Sequence, residues 1–164
     1  MPNDEDIAAE IANLIRPWRG YLLNFSGPTS EDAIRWAEQE LGVTFPRTYR
    51  VFLRHHGSGR VNYCRVLGLA AQNLWADVVV VNHMVVPRNL RAFVMIAESV
   101  DDHNFFNFYL DTARPDEYGE YPVMVVGPGT PESFFADNFL EFLRKVCSGL
   151  GKPRVVAHVP GRGY

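Results

Sequence analysis

The side chains of this chain that could do chemistry are gathered in a few short stretches. In FLRHHGSG, residues 52–59, His55 and His56 could bind a metal, move a proton or close a helix. Adjacent helical positions point about 100° apart, so a metal pair on a helix is expected at a spacing of three or four rather than one. A helix end leaves its last carbonyls without partners, and a glycine in the left-handed conformation just beyond it is the common remedy. Gly57 fits that role, and the two histidines read as the close of a helix.

A second stretch, DDHN at 101–104, offers Asp101, Asp102, His103 and Asn104 to a divalent ion, which with His55 or His56 would support metal-assisted hydrolysis. Hairpin tips select the same residue types for their local backbone hydrogen bonds, and turn chemistry is the preferred reading. The run DTARPDEYGEYP carries Asp111, Asp116, Glu117 and Glu120 but lacks the alternating ligands and terminal glutamate of a calcium loop. GPGTPE at 127–132 lacks the lysine and hydroxyl residue of a phosphate-cradling loop. Ser26, Ser30, Ser58, Ser99, Ser133 and Ser148 lie in no nucleophile elbow, and neither Cys64 nor Cys147 has a nearby histidine to activate it. The reading is therefore of no catalytic residue, no metal site and no cofactor.

The elements that must position these residues follow from periodicity. Ile7, Ile11, Leu14, Ile15 and Trp18 recur at helical spacing, with acids in the opening turn and Pro17 near the end, which predicts a helix over roughly residues 5–16. TSEDAIRWAEQELG begins with Thr29 or Ser30 as cap, places acids where the helix dipole favours them and stops at Gly42, with Ile34, Ala37 and Leu41 on one face. Pro46 can open the next helix at its first position, and Tyr49, Phe52 and Leu53 form its buried stripe. Beyond Gly59 the texture becomes extended: VNYCRVLGL, DVVVV, AFVMIAES, FFNFYLDT and YPVMVV read as strands. Leu90 to Ser99 and Phe105 to Asp111 flank VDDHNF as a hairpin, so a mostly antiparallel sheet follows the helices. ADNFLEFLRKVCSG closes the pattern as a helix with Asp137 as cap, an apolar stripe from Phe139 to Val146 and Gly149 as its stop. KPRVVAHVPGRGY reads as a loose basic tail or an added edge strand.

With 164 residues, 47% apolar and 13% aromatic, the chain fits one globular domain that buries roughly 70% of its unfolded surface. Two cysteines outside any paired-spacing motif suit a reducing cytosol. The acidic start MPNDEDIAAE is not a secretory signal, and no apolar run reaches the ~18 residues of a membrane span. A cytoplasmic location is expected. The net charge of -3 is unevenly distributed: Arg114 is the only basic residue from Glu98 to Glu141, Asp77 the only acidic one from Val43 to Ala97, and no acid follows Phe142. Nucleic-acid binding would favour a basic excess with interleaved aromatics. The acidic block suits a basic protein partner or a solvated loop face.

One stretch, IRWAEQELGVTFPRTYRVFLRHHG, sets out Ile34, Glu38, Leu41-Gly42, Phe45-Pro46, Tyr49, Phe52-Leu53 and Gly57 in an order that resembles the opening signature of the SUKH superfamily. That superfamily includes a fungal cell-wall-assembly regulator and many bacterial immunity proteins. His56 stands where the family usually has Asn, a change compatible with a cap. FVMIAES, FYLDTARPDEYGEYPVMVV and ADNFLEFL resemble its middle strands, its Leu-Asp strand end and its C-terminal helix, so the likeness runs over roughly residues 28–146 of a single domain at 1–164.

The resemblance implies an α+β fold, with N-terminal helices and a C-terminal helix on a mostly antiparallel sheet. It also implies a non-enzymatic cytosolic immunity protein that neutralises a cognate polymorphic toxin, often a nuclease, by binding it. A regulatory or scaffold adaptor with another protein partner is the alternative. From the residues themselves, Asp101, Asp102, Tyr109, Asp111, Asp116, Glu117, Tyr118 and Tyr121 form the expected partner-binding surface for a basic toxin domain. Neither direct nucleic-acid contact nor membrane association is expected, and the oligomeric state stays open.

Overall fold

The computed structural model describes residues 2–20, 24–69, 72–85, 92–100 and 105–149. Asp101, Asp102 and the rest of the DDHN stretch lie outside them, as does the basic C-terminal segment 150–164.

The N-terminal helices form where the apolar spacing demands. α1 (Asp4–Arg19) is capped by the Asn3 side chain, buries Ile7, Ile11 and Ile15, and carries Pro17 within its last turns, so it ends later than the proline suggests. α2 (Glu31–Leu41) is capped by Ser30 and closed by Gly42 in the left-handed region. α3 (Arg47–His56) starts one residue later than expected, with Pro46 itself as cap residue and no side chain capping from that position.

The chain then turns into a meander. β1 (Gly59–Val61), β2 (Cys64–Val66), β3 (Phe93–Ser99), β4 (Asn107–Asp111), β5 (Val123–Val126) and β6 (Ser133–Ala136) form one six-stranded sheet in sequence order, every neighbouring pair antiparallel. The expected β3–β4 hairpin is present, with Phe93 opposite Asp111. α5 (Phe139–Ser148) follows, capped by Asn138 rather than by Asp137, because the Asn138 side chain reaches the Glu141 amide.

Besides VNYCRVLGL, which is the β1–β2 hairpin turning at Asn62 (φ 52°) rather than one strand, two elements correct the sequence reading. DVVVV is not a strand: Val78–Val85 is a helix, α4, preceded by a 3₁₀ turn at Leu74–Ala76. Valine favours strands only as far as packing allows. Here the Asp77 carboxylate accepts from the Val79 and Val80 amides at 2.9 and 3.0 Å, the capping bond of a helix start. One turn on, the Asn82 amide bonds both the N–H and the C=O of Met95, where the shorter β2 leaves the edge of β3 unpaired. The second correction is β6, whose SFFA is too short and too close to its glycine turn to show a period.

The buried side of the sheet meets α1, α3 and α5 through a run of rings. Tyr49 and Phe52 contact Phe139 at 5.0 and 5.5 Å between centroids, and Phe108 contacts Phe135 and Phe142 at 4.9 and 5.1 Å. Each such ring contributes about 1.5–3 kcal/mol on burial. Tyr49 also donates its hydroxyl to the Leu67 carbonyl at 2.7 Å, so its one polar atom is satisfied inside the core.

The glycines after the histidine pair serve close approach. Gly57 has φ 74° and ψ -99°, a positive-φ region beyond the expected left-handed one, and its amide donates to Leu53 O. A Cβ on Gly57 would lie 2.1 Å from Ser26 Oγ, and one on Gly68 would lie 2.0 Å from Gly57 O. Three backbone segments thus pack where side chains have no room.

Candidate partner-binding surface

The connection between β4 and β5 holds most of the expected surface residues. It opens with Asp111, which is 6% exposed; its carboxylate accepts from the Ala113 amide at 3.2 Å and pairs with Arg114 at 2.7 Å. That carboxylate is turned back to fix the strand end. Arg114 in turn reaches the sulfur of buried Met124 at 3.3 Å, so the turn packs against the side of β5 that faces away from Val123 and Val125.

Asp116 organises the tip that follows. Its carboxylate accepts from the Tyr118 and Glu120 amides at 2.8 and 2.9 Å, its amide donates to Glu120 O, and Gly119, at φ 75°, donates back to Asp116 O. These local bonds are the ones Asp and Gly are selected for in turns. They present Glu117 and Tyr118 outward, Tyr118 being 56% exposed.

The far side of the tip is tied into the core. Glu120 is buried, and its two oxygens accept from the Thr48 amide at 3.0 Å and the Thr48 hydroxyl at 2.9 Å. It thereby caps α3 from 72 residues away in sequence, where Pro46 supplies no side-chain cap. Burial raises its carboxyl above the usual range, more than the two Thr48 bonds lower it. Tyr121 is half-buried and donates its hydroxyl to Thr44 O at 3.0 Å. Burial, then Glu38 and Glu120, push its phenol up.

The structure therefore gathers Asp116, Glu117 and Tyr118 at one exposed tip, with Asp111 and Tyr121 as its anchors. Tyr109 lies elsewhere, on the sheet face turned away from Phe108 and Leu110, half-buried against Phe93 with ring centroids 6.1 Å apart. Asp101 and Asp102 lie outside the described residues. Sequence reasoning missed Glu120 as a remote cap, which no local signal could show, and Phe134, 57% exposed on β6.

The histidine pair does not share a site. His56 turns inward, 6% exposed, with its ring 5.9 Å from Phe25 and 5.8 Å from Phe52, while His55 is exposed. Burial foremost, then Arg19 and His55, lower the His56 pKa to about 4, so it is a neutral core ring. Gly57 closes the helix through its backbone. Among the described residues, no group of three or more His, Cys, Asp or Glu is placed to hold a metal ion. Burial pushes the thiol of Cys64 up and that of Cys147 up to about 12.

The arginines of α3 spend their charge between helices. Arg47 and Arg54 pair with Asp4, Arg54 also with Glu31 at 2.6 Å, and Arg50 with Glu31 at 2.9 Å and Glu38 at 3.5 Å. These bonds, led by Arg47 for Asp4 and by Arg54 for Glu31, hold both carboxylates below their usual range. Each pair is partly exposed and worth about 0–1 kcal/mol, so the network orients helices more than it stabilises them. No described helix is long and apolar enough to cross a membrane.

Helices packed against a six-stranded antiparallel meander define an α+β protein. The family model described as SMI1-KNR4 cell-wall, SUKH_6, matches residues 31–143, and the chain belongs to this SUKH family. The matched span runs from the first turn of α2 into α5 and includes the acidic turn. No curated protein matches the chain.

Proposed function

We propose that this chain is an immunity protein that binds a cognate protein toxin in the cytoplasm of the cell that makes it and neutralises the toxin by occupying its surface. The observation that carries the reading is the acidic tip at 116–120. Its outward Glu117 and Tyr118 sit on a turn already held by the Asp116 carboxylate and by Glu120. A pre-organised turn avoids the ~0.5–1.5 kcal/mol that each side chain ordered on binding would cost. Its carboxylates would steer a cationic domain, and the exposed ring would supply contact area.

Two measurements test this. Co-expression with the product of the adjacent gene should relieve that product's toxicity, and a product that is harmless without this chain would sink the reading. Replacing Asp101, Asp102 and Glu117 by their amides should slow association about tenfold at low salt and flatten its salt dependence; unchanged association kinetics would remove the acidic tip from the account. Asp116 is left intact because its side chain holds the turn.

A regulatory adaptor with a non-toxin partner is the second reading, favoured by the cell-wall description of the matching family model. Gene neighbourhood separates the two, since an immunity gene sits beside a toxin gene and an adaptor gene need not.

A further inference from the structure

Two arginines face each other across the β1–β2 hairpin. Arg60 and Arg65 are register partners, and Arg65 is in turn opposite Glu98 on β3, so the three side chains stand in one row on one face. The row holds two cations and a single carboxylate. Glu98 is spent on Arg65, whose Nε donates to it at 2.8 Å. Arg60 has no acidic partner among the described residues: its Nε donates to Asn62 O at 3.2 Å, and its two Nη groups meet no described acceptor. Like charges directly opposite on neighbouring strands are unfavourable. The hairpin therefore carries one positive charge that the described fold does not use.

That charge lines a cleft. A depression of about 800 Å³, within the range of small-ligand sites, lies between the segment 24–28, the β1–β2 hairpin and the turn that leads into α4. Its walls are held by hydrogen bonds. The Asn24 side chain pairs with both the amide and the carbonyl of Arg60 at 2.8 and 2.9 Å, the Ser26 hydroxyl accepts from the Ser58 amide at 2.8 Å, and the Gly68 amide donates to Ala76 O at 2.8 Å. Ser58 lines the cleft at 4% exposure; its amide and carbonyl serve these walls, while its hydroxyl has no partner among the described residues. Such a hydroxyl is an exception among buried polar groups and calls for a reason. Gln72 and Asn73 add exposed amides, and Phe25 and Leu69 add apolar wall. None of the described lining residues is acidic. Asp77, next in sequence to the wall, spends its carboxylate on the Val79 and Val80 amides.

We propose that this cleft is a binding site for a small organic acid, with the Arg60 guanidinium and the Ser58 hydroxyl as donors to its carboxylate and the Phe25 and Leu69 side of the cleft receiving its uncharged body. A guanidinium presents paired N–H donors in a plane that matches a carboxylate, and the Nε bond to Asn62 O already orients that plane. One uncompensated cation matches a monoanion. A phosphate dianion would bring a second negative charge toward Glu98, one strand beyond Arg65. A bound carboxylate also relieves the opposition of Arg60 to Arg65, which the free protein bears. The site shares no residue with the acidic turn at 116–120, so it stands or falls separately from the partner reading.

Amide chemical shifts of the labelled full chain test the site, with hexanoate as probe, hexanamide as its uncharged counterpart and hexyl phosphate as its dianionic one. Hexanoate should shift the Ser58, Gly59, Arg60 and Asn73 amides and saturate, while the other two bind about tenfold more weakly or not at all. Arg60→Gln should weaken hexanoate about tenfold and Ser58→Ala about threefold, the neutral donor being the weaker of the two. Thermal melts matching wild type establish that the variants fold, and Ser58→Ala, which keeps the backbone bonds of the wall, decides the matter if Arg60→Gln does not. Shifts that never saturate, or that are no larger at the cleft than over the rest of the surface, overturn the proposal. Equal binding of hexanamide overturns the role of Arg60, and tighter binding of hexyl phosphate overturns the monoanion assignment. Hexanoate binding that survives both substitutions overturns the site.

Discussion

Glu120 gives the sharpest test of how the acidic turn is held. In Glu120→Ala, the Thr48 amide and hydroxyl lose their acceptors inside a buried pocket, and α3 loses the cap that Pro46 does not provide. Each hydrogen bond to a charged acceptor is worth about 1.5–3 kcal/mol. Removing a buried carboxylate returns part of that, because its desolvation disappears with it. The net loss should be about 3 kcal/mol, which at an ordinary urea dependence of ~2 kcal/mol per M moves the unfolding midpoint down by ~1.5 M. A double-mutant cycle with Thr48→Val should give a coupling of at least ~1 kcal/mol, since the two residues act as one unit. Glu120→Gln adds a pH signature. Burial raises the native carboxyl above its ordinary 4.5, so the native state holds that proton more tightly than the unfolded chain. The linked stabilisation is complete below pH 4.5 and is lost as pH rises through the elevated native value. Glutamine has no such proton, so its deficit against wild type should be largest in acid and shrink as pH rises. A cost below ~1 kcal/mol for Glu120→Ala would refute the remote cap. A Glu120→Gln deficit that widens with rising pH would refute the claim that burial outweighs the Thr48 donors.

Two further outcomes follow from buried groups elsewhere. His56 has the opposite linkage: its native pKa near 4 lies below the ordinary 6.5, so its contribution is intact above pH 6.5 and is lost as pH falls toward 4. At ~1.36 kcal/mol per unit, up to ~3 kcal/mol is at stake, and His56→Phe should flatten that part of the acid denaturation profile measured by circular dichroism. Gly68→Ala should cost ~3 kcal/mol or more, because its Cβ would meet the Gly57 carbonyl at 2.0 Å. Gly129→Ala, at φ 66° with nothing within 4 Å, should cost only ~1 kcal/mol, and thermal melts that fail to rank the two in this order would discount the backbone contact.

What the sequence determined by itself was the part of the fold set by local physics. The cap at Thr29 or Ser30, the stops at Gly42 and Gly149, the stripes of α2, α3 and α5, and the β3–β4 hairpin are each written within a few residues, and the family likeness rests on that same order. DVVVV read wrongly because valine preference is weak beside one aspartate cap and an asparagine pairing with Met95, a contact across 13 residues that only folding creates. The candidate surface divides in the same way. The sequence placed Asp111, Asp116, Glu117, Tyr118 and Tyr121 on one surface without distinction, whereas the folded turn presents Glu117 and Tyr118 and packing turned Asp111 and Tyr121 inward as anchors. It alone buried one histidine of the pair and left the other in water. Tertiary packing likewise aligned Arg60, Arg65 and Glu98 from three strands into one row. Local bonds cost little chain entropy and so show in composition and spacing, while a face assembled from distant strands exists only once loop closure has brought those strands together.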